Sequence, residues 1–270
     1  MPDRAPSAHA SIADATEVTI SAGGRPIIEQ ATFDVRRGEI FAIMGASGAG
    51  KSTLLRTMVG LAAPSRGVVR LLGQDPYQMP GNALYALRRR VGVAFQGGAL
   101  LGALSVIENV ELPLRLNTRL DPATIRIMAH LKLELLNLRD VDGLYPSQLS
   151  GGMAKRVSLA RAVVMDPELV FFDEPAGGLD PQNAAELDTL ILKLRAAMKC
   201  SFVIVTHALD SALAIADRIM IVEHGRVLAL GTPAEIRALD DARIAAMFGR
   251  TGSSSVTERA AYLDRLTAGL

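Results

Sequence analysis

The segment Gly45-Ala-Ser-Gly-Ala-Gly-Lys-Ser52 has residue types and a spacing suited to binding phosphate. It fits the Walker A pattern G-x-x-x-x-G-K-[ST], in which glycines let consecutive backbone N–H groups curve around a β-phosphate. A helix that begins there adds favourable partial charge for an anion. We expect the Lys51 ammonium to contact the β- and γ-phosphates and the Ser52 hydroxyl to bind Mg²⁺. The residues predicted to contact the nucleotide in this segment are Gly45, Ala46, Ser47, Gly48, Ala49, Gly50, Lys51, Ser52 and Thr53.

Two carboxylates, Asp173 and Glu174, follow the apolar run Leu169-Val-Phe-Phe172. Taken alone, two acidic residues after a strand could equally form a solvated turn. Downstream of a phosphate-binding loop, we expect Asp173 to hold Mg²⁺ through water. Glu174 is then expected to orient and polarise an attacking water molecule. The pair predicts hydrolysis of a nucleoside triphosphate.

His207 follows the next apolar run, Ser201–Thr206. A single histidine at the end of a strand is most often a structural hydrogen-bonding residue. In this order of elements, we predict instead that His207 contacts the γ-phosphate and fixes Glu174 and the attacking water. Glu174 and His207 are therefore the predicted catalytic residues.

The elements that must position these residues alternate between strands and helices. Near-continuous apolar strands separated by helices predict an α/β fold with a mainly parallel sheet, covered on both faces. Residues 16–45 alternate in polarity and then become apolar, which predicts an antiparallel β subdomain leading into a buried strand. The glycine-rich segment 45–52 connects that strand to a predicted helix. An ordinary strand-to-helix turn would be the alternative, but the full pattern is rare by chance in such a place.

The chain divides into three predicted parts. Residues 1–15 form a flexible leader, residues 16–248 form the catalytic domain with a helical subdomain at about 97–165, and residues 249–270 form a linker and a C-terminal helix. In the helical region, Pro113 is expected to punctuate the chain as a turn. The C-terminal helix would either pack on its own domain or dock onto a neighbouring chain. Its apolar stripe consists of Val256, Ala260, Leu263 and Leu270.

The composition excludes several classes of function. The formal net charge is +1 and only 4% of the residues are aromatic, with no Trp, which argues against a nucleic-acid partner. No apolar run approaches the ~18 residues of a membrane helix. The N-terminal residues lack the apolar segment of a signal peptide, and the single cysteine, Cys200, suits a reducing cytoplasm.

The segment Leu149-Ser-Gly-Gly-Met153 and the residues after it resemble the signature motif of ABC-transporter ATPases. The resemblance implies the P-loop NTPase fold of these ATPases, with ATP and Mg²⁺ as ligands. It also implies a homodimer in which the signature of one copy binds the γ-phosphate held by the other copy. By the same resemblance, Gln96 contacts Mg²⁺ and couples to a membrane partner, while Asp180 links the two sites. The further nucleotide contacts implied in this way are Gln96, Ser150, Gly151, Gly152 and Asp180.

One position departs from the family pattern. ABC ATPases often stack an aromatic side chain on the adenine ring, whereas the corresponding segment here offers Ala22, with Arg25 as the candidate substitute. We therefore expect loose discrimination between nucleotide bases.

A narrower resemblance, to the ATPases of Mla/MCE lipid transporters, rests on four features of the sequence. They are Phe95-Gln-Gly-Gly-Ala-Leu-Leu101, Val106-Ile-Glu-Asn-Val110, Leu112-Pro-Leu-Arg115 before Thr118, and Met153. It implies phospholipid transport between the inner and outer membranes, driven from the cytoplasmic face of the inner membrane. The implied partners are an MlaE-like integral-membrane permease, an MCE lipid-binding chain and a small STAS-domain subunit, the last reached through the C-terminal helix.

Three alternatives stay open at this point. An ABC transporter for another cargo, such as an amino acid, a lipoprotein or a metal, would keep every motif and change only the permease. A soluble ABC ATPase acting on ribosomes or DNA is disfavoured because the chain holds one ABC domain and no basic patch. A regulatory subunit without hydrolysis is disfavoured by the intact Lys51, Glu174 and His207.

Overall fold

The structure, a computed structural model, describes residues 11–249, with side chains described to residue 245. The strands are β1 (Ser11–Ala22), β2 (Arg25–Arg36), β3 (Ile40–Met44), β4 (Arg66–Leu71), β5 (Val91–Ala94), β6 (Leu169–Asp173), β7 (Ser201–Thr206), β8 (Arg218–Glu223) and β9 (Arg226–Gly231). The helices are α1 (Lys51–Met58), α2 (Gly81–Arg88), α3 (Val106–Asn117), α4 (Pro122–Leu135), α5 (Gly151–Val163), α6 (Pro181–Met198), α7 (Leu209–Ile215), α8 (Pro233–Arg237) and α9 (Ala242–Gly249).

The central sheet has the strand order β5-β6-β7-β3-β8-β9. All neighbouring strands in it are parallel except the β8–β9 hairpin. Every residue of β3, β6 and β7 is buried, as expected for strands covered by helices on both faces. The predicted α/β fold with a parallel core is therefore confirmed.

A second, antiparallel sheet has the order β2-β1-β4 and packs over one face of the core. Phe33 of β2 stacks on Phe41 of β3 with ring centroids 5.6 Å apart. Strand β1 begins at Ser11, so residues 11–15 belong to the sheet and not to the predicted leader. The cause is long-range pairing: Ala13 lies opposite both Val35 and Leu71, and local polarity does not reveal such partners.

Helices α3, α4 and α5 form the helical subdomain and share a hydrophobic core with the central sheet. Helix α3 begins with a capping box in which Ser105 and Glu108 satisfy each other's backbone N–H groups. The predicted turn at Pro113 is wrong, because α3 continues through this proline to Asn117. The Asn117 side chain donates to the Pro113 carbonyl at 2.8 Å, and packing on α4 and α5 stabilises the continuation.

Two further points concern the limits of the described chain. Residues 1–10 and residues 250–270, which include most of the predicted linker and C-terminal helix, lie outside the described residues. Within residues 11–249, no helix is both long enough and apolar enough to span a membrane.

Candidate active site

The predicted site residues follow four neighbouring strands of the parallel sheet. Gly45 follows β3, Gln96 follows β5, Asp173 ends β6 and His207 follows β7. Carboxyl ends of parallel strands meet at one edge of a sheet, where α/β proteins bind their ligands. The strand order, which brings β3 next to β7 and β7 next to β6, therefore gathers residues that are far apart in sequence.

The phosphate loop connects β3 to α1 and depends on close backbone approach at two glycines. A Cβ at Gly45 would lie 2.2 Å from the Val222 carbonyl oxygen, and a Cβ at Gly50 would lie 2.7 Å from a methyl carbon of Ile28. Gly50 has φ of +95°, a left-handed conformation that glycine adopts readily, and it caps α1. Side chains at either position would displace the loop from the sheet edge.

Lys51 is buried at the start of α1, with its ammonium folded back over the loop. Its Nζ donates to the carbonyl oxygens of Gly45 at 2.9 Å and Ala46 at 3.1 Å. A buried ammonium needs such acceptors. Phosphate oxygens offer stronger, charged acceptors to the same donor, as in a nucleotide-binding loop.

Ser52 and Asp173 place two oxygen ligands side by side. The Ser52 hydroxyl donates to Asp173 Oδ1 at 3.2 Å. Burial raises the pKa of Asp173, the Ser52 hydrogen bond opposes this, and the neighbouring Glu174 raises the pKa further. A divalent cation would relieve this buried charge, and Mg²⁺ prefers oxygen ligands of this kind. The two residues therefore fit the predicted metal site.

Glu174 lies at the same edge with one carboxylate oxygen directed into the site. Its side chain is 9% exposed, and its Oε2 lies 2.8 Å from Nδ1 of His207, whose side chain is 64% exposed. The approach lacks hydrogen-bond geometry, and Oε2 is a buried acceptor without a hydrogen-bond partner among the described residues. Its lone pairs can accept a hydrogen bond and a proton from a water molecule that enters the site with a nucleotide.

The other residues implied by the family resemblance do not join this cluster within one chain. Gln96 is exposed on the turn after β5. Ser150 is exposed and caps α5 by accepting from the Met153 N–H at 3.2 Å, and the next residue, Gly151, is also exposed. Asp180 caps α6 by accepting from two backbone N–H groups. No hydrogen bond or ion pair among the described residues joins Ser150 to the phosphate loop.

Ala22, which stands where an aromatic side chain was expected, is the last residue of β1 and is exposed. It lies opposite Arg25 in the register of the β1–β2 hairpin. The register thus pairs a short side chain with an arginine across this hairpin.

Sequence reasoning did not assign a role to Lys155. This residue lies four positions before Leu159 on the buried face of α5, and its Nζ donates to the backbone carbonyl of Glu174. A charged residue on a buried helix face requires a partner, which is the signal present in the sequence. The identity of the partner depends on how α5 packs against β6.

Comparisons with known proteins agree on the family. A sequence profile of the ABC transporter family matches residues 28–177. The chain is 38% identical over 234 residues to the intermembrane phospholipid transport system ATP-binding protein MlaF of Haemophilus influenzae, covering 87% of this chain and 89% of that protein. It is 39% identical over 235 residues to MlaF of Escherichia coli K12, covering 87% of each protein. It is 36% identical over 231 residues to the probable ribonucleotide transport ATP-binding protein mkl of Mycobacterium leprae, covering 86% of this chain and 66% of that protein.

Solved structures with a similar fold are ATP-binding cassettes. A dimeric cassette in a post-hydrolysis state, bound to ADP and Pi, has a TM-score of 0.76 and 29% identity, covering 82% of this chain and 98% of that chain. The cbiO1 protein of Clostridium perfringens, part of an ABC transporter complex, has a TM-score of 0.77 and 28% identity, covering 84% and 91%. The chain therefore belongs to the ABC transporter family, as an ATP-binding subunit homologous to MlaF.

Proposed function

We propose that two copies of this chain close around two MgATP molecules and couple ATP hydrolysis to phospholipid transport between the inner and outer membranes. One observation supports the chemistry above all others: the phosphate loop, Asp173, Glu174 and His207 meet at one edge of the sheet. The support for the cargo is the similarity to MlaF proteins along 87% of the chain.

Nucleotide binding uses groups that already lie in the phosphate loop. The Lys51 ammonium exchanges its two loop carbonyls for β- and γ-phosphate oxygens, and the backbone N–H groups at the start of α1 donate to the phosphates. Mg²⁺ supplies positive charge that neutralises the charge developing on the transferred phosphoryl group. Ser52, Asp173 and Gln96 are the residues that would hold it.

The second half of each site comes from another copy of the chain. Ser150, Gly151 and Gly152 begin a helix whose exposed N-terminus is suited to an anion. Within one chain this end has no bond to the phosphate loop among the described residues, so a second copy can present it to the γ-phosphate. Asp180, at the start of α6, lies on the adjoining surface and links the two sites.

Hydrolysis proceeds by attack of water on the γ-phosphate. Glu174 Oε2 accepts a hydrogen bond from the water and orients it, and His207, 2.8 Å away, keeps the carboxylate in place and contacts the γ-phosphate. Loss of the γ-phosphate removes the group shared by the two copies, and the dimer reopens. Gln96, at the start of the connection to the helical subdomain, passes this movement to a permease.

The proposed assembly has further partners. An MlaE-like permease, an MCE lipid-binding chain and a small STAS-domain subunit would place the chain on the cytoplasmic face of the inner membrane. The predicted C-terminal helix, which lies outside the described residues, is the proposed contact for the small subunit. A different cargo is the second candidate, because mkl, named for ribonucleotide transport, is 36% identical to this chain.

Glu174→Gln tests the chemistry. Removing the base lowers kcat by about 10²–10⁴-fold, while ATP still binds and holds a dimer that light scattering detects after size exclusion. Glu134→Gln, the same change at an exposed position on α4, serves as the control and leaves turnover unchanged. A normal rate of hydrolysis by the Glu174 variant would show that another group activates the water.

Purification of the tagged chain from its host's membranes in mild detergent tests the cargo. Recovery of a multi-spanning permease with an MCE chain and bound phospholipid supports lipid transport. A permease of another class reassigns the cargo, and recovery with ribosomes or DNA overturns the transport proposal.

A further inference from the structure

The backbone of Glu174 is held in an unusual conformation. Its φ is +52°, in the left-handed region that residues with a side chain rarely adopt and that needs external support. Its N–H donates to the Val205 carbonyl on β7 at 2.8 Å. Its carbonyl accepts from the Gly177 N–H at 3.2 Å and from Nζ of Lys155. These contacts determine where the Glu174 side chain leaves the main chain.

Lys155 is the member of this set that comes from the helical subdomain. It is 9% exposed, and an ammonium in such a place is costly unless it has an acceptor and nearby negative charge. The Glu174 carbonyl supplies the acceptor. Burial lowers the pKa of Lys155, and the carboxylates of Glu174 and Asp173 act in the opposite direction.

We propose that Lys155 is a positioning residue for Glu174, through which helix α5 sets the position of the catalytic carboxylate. The inference rests on the proposed function. Ser150 caps the same helix and, in the proposed dimer, contacts the nucleotide of the other copy. One rigid helix thus joins the partner's nucleotide to the residue that activates water in this chain's own site. Closure of the dimer thereby places Glu174 where it activates the attacking water.

The test compares Lys155→Met with Lys155→Arg in the full-length chain. The methionine removes the donor at nearly constant volume, and a misplaced Glu174 lowers kcat by about 10²-fold, as expected for a shift near 1 Å. The Kd for ATP changes less than about twofold, and ATP-dependent dimerisation persists. Arginine keeps a charged donor and restores kcat to within about fivefold of the wild type. Lys193→Met, the same change at an exposed position on α6, is the control.

Lys155→Gln covers the case in which the methionine variant does not fold. Its side chain is polar but one bond shorter than that of lysine, so its amide does not reach the Glu174 carbonyl. We expect this variant to have a lower kcat and an unchanged Kd for ATP. A kcat for Lys155→Met within twofold of the wild type overturns the inference. So does a loss of ATP binding in proportion to kcat, or a failure of arginine to restore turnover. If Glu174→Gln also hydrolyses ATP normally, the role of Glu174 in the proposed hydrolysis fails, and that of Lys155 fails with it. If Glu174→Gln is inactive, only the role of Lys155 is lost.

Discussion

Ala22 shows how one side chain bears on which nucleotides an ATP-binding subunit accepts. It is exposed at the end of β1 and offers one methyl group where family members often carry an aromatic ring. Stacking of a base on an aromatic side chain is worth about 1–3 kcal/mol and tolerates any base, because every base has a π-face. At this hairpin, where the family resemblance implies that the base binds, Arg25 is the one other side chain we expect to contact it.

We predict that the wild-type chain hydrolyses GTP with a kcat/KM within about tenfold of that for ATP, and that Ala22→Tyr lowers the KM for both nucleotides by about tenfold. Steady-state kinetics with the two nucleotides measures this. Ser21→Tyr is the control, because successive side chains of a strand point to opposite faces. A strong preference of the wild type for ATP would contradict the prediction.

At the scale of elements, the connection from β5 to α3 is held by two side chains of the helical subdomain. Asn109, fully buried in α3, donates to the carbonyls of Leu101, Leu104 and Ser105 and accepts from the Leu101 N–H at 2.8 Å. Arg161 of α5 donates to the carbonyls of Gly98 and Ala99 at 3.0 and 2.9 Å. The connection therefore moves with the helices, and Gln96 lies at its junction with the sheet.

Asn109→Ala removes the hydrogen bonds donated to the carbonyls of Leu101, Leu104 and Ser105 and leaves the Leu101 N–H without its acceptor. We expect the free energy of unfolding to fall by about 1–3 kcal/mol and the amide of Leu101 to exchange faster with solvent. Urea denaturation and hydrogen exchange measure the two effects. Asn117→Ala removes a single hydrogen bond from the same helix and should cost less than about 1 kcal/mol. Equal losses in the two variants would argue against a special role for Asn109.

At the scale of the whole molecule, a buried polar cluster joins the two sheets. The Arg218 guanidinium of β8 contacts Asp34 of β2 at 3.2 Å and Glu39 at 3.3 Å, and it lies 5.4 Å from the ring centroid of Phe41. Burial raises the pKa of Glu39, while the Arg36 N–H and the charge of Arg218 lower it by less. The native state therefore holds this proton more tightly than the unfolded chain does.

This shift has a defined effect on stability. Because the native pKa of Glu39 is raised above 4.5, its contribution is fully present below that pH and is lost as pH rises through the native pKa. In denaturation measurements, the free energy of unfolding of Glu39→Gln should therefore rise relative to that of the wild type as the pH increases above about 4.5. Glu168, whose pKa is lowered chiefly by the Arg37 hydrogen bond, contributes above pH 4.5 and loses that contribution at lower pH. The free energy of unfolding of Glu168→Gln should thus fall relative to that of the wild type as the pH rises. The same pH dependence in both variants would contradict the opposite pKa shifts of Glu39 and Glu168.

Much of the fold could be predicted from local patterns. Strands β6 and β7 have the bounds that their continuous apolar runs predict, because a strand buried on both faces leaves no polar interruption. Strand β1 was predicted five residues short at its start, and helix α2 was not predicted at all. Ser11 and the residues after it become a strand by pairing with distant partners, which local propensity does not encode.

For the site, the sequence by itself determined the phosphate loop, the Asp173–Glu174 pair and His207 as candidate residues, because each follows a short pattern whose chemistry depends on neighbours in the chain. Only the tertiary structure decided that Ser52 meets Asp173 and that Lys155 holds the carbonyl of Glu174. These contacts join residues 121 and 19 positions apart. They depend on the order of strands in the sheet and on how α5 packs against β6, and neither has a signature in local periodicity.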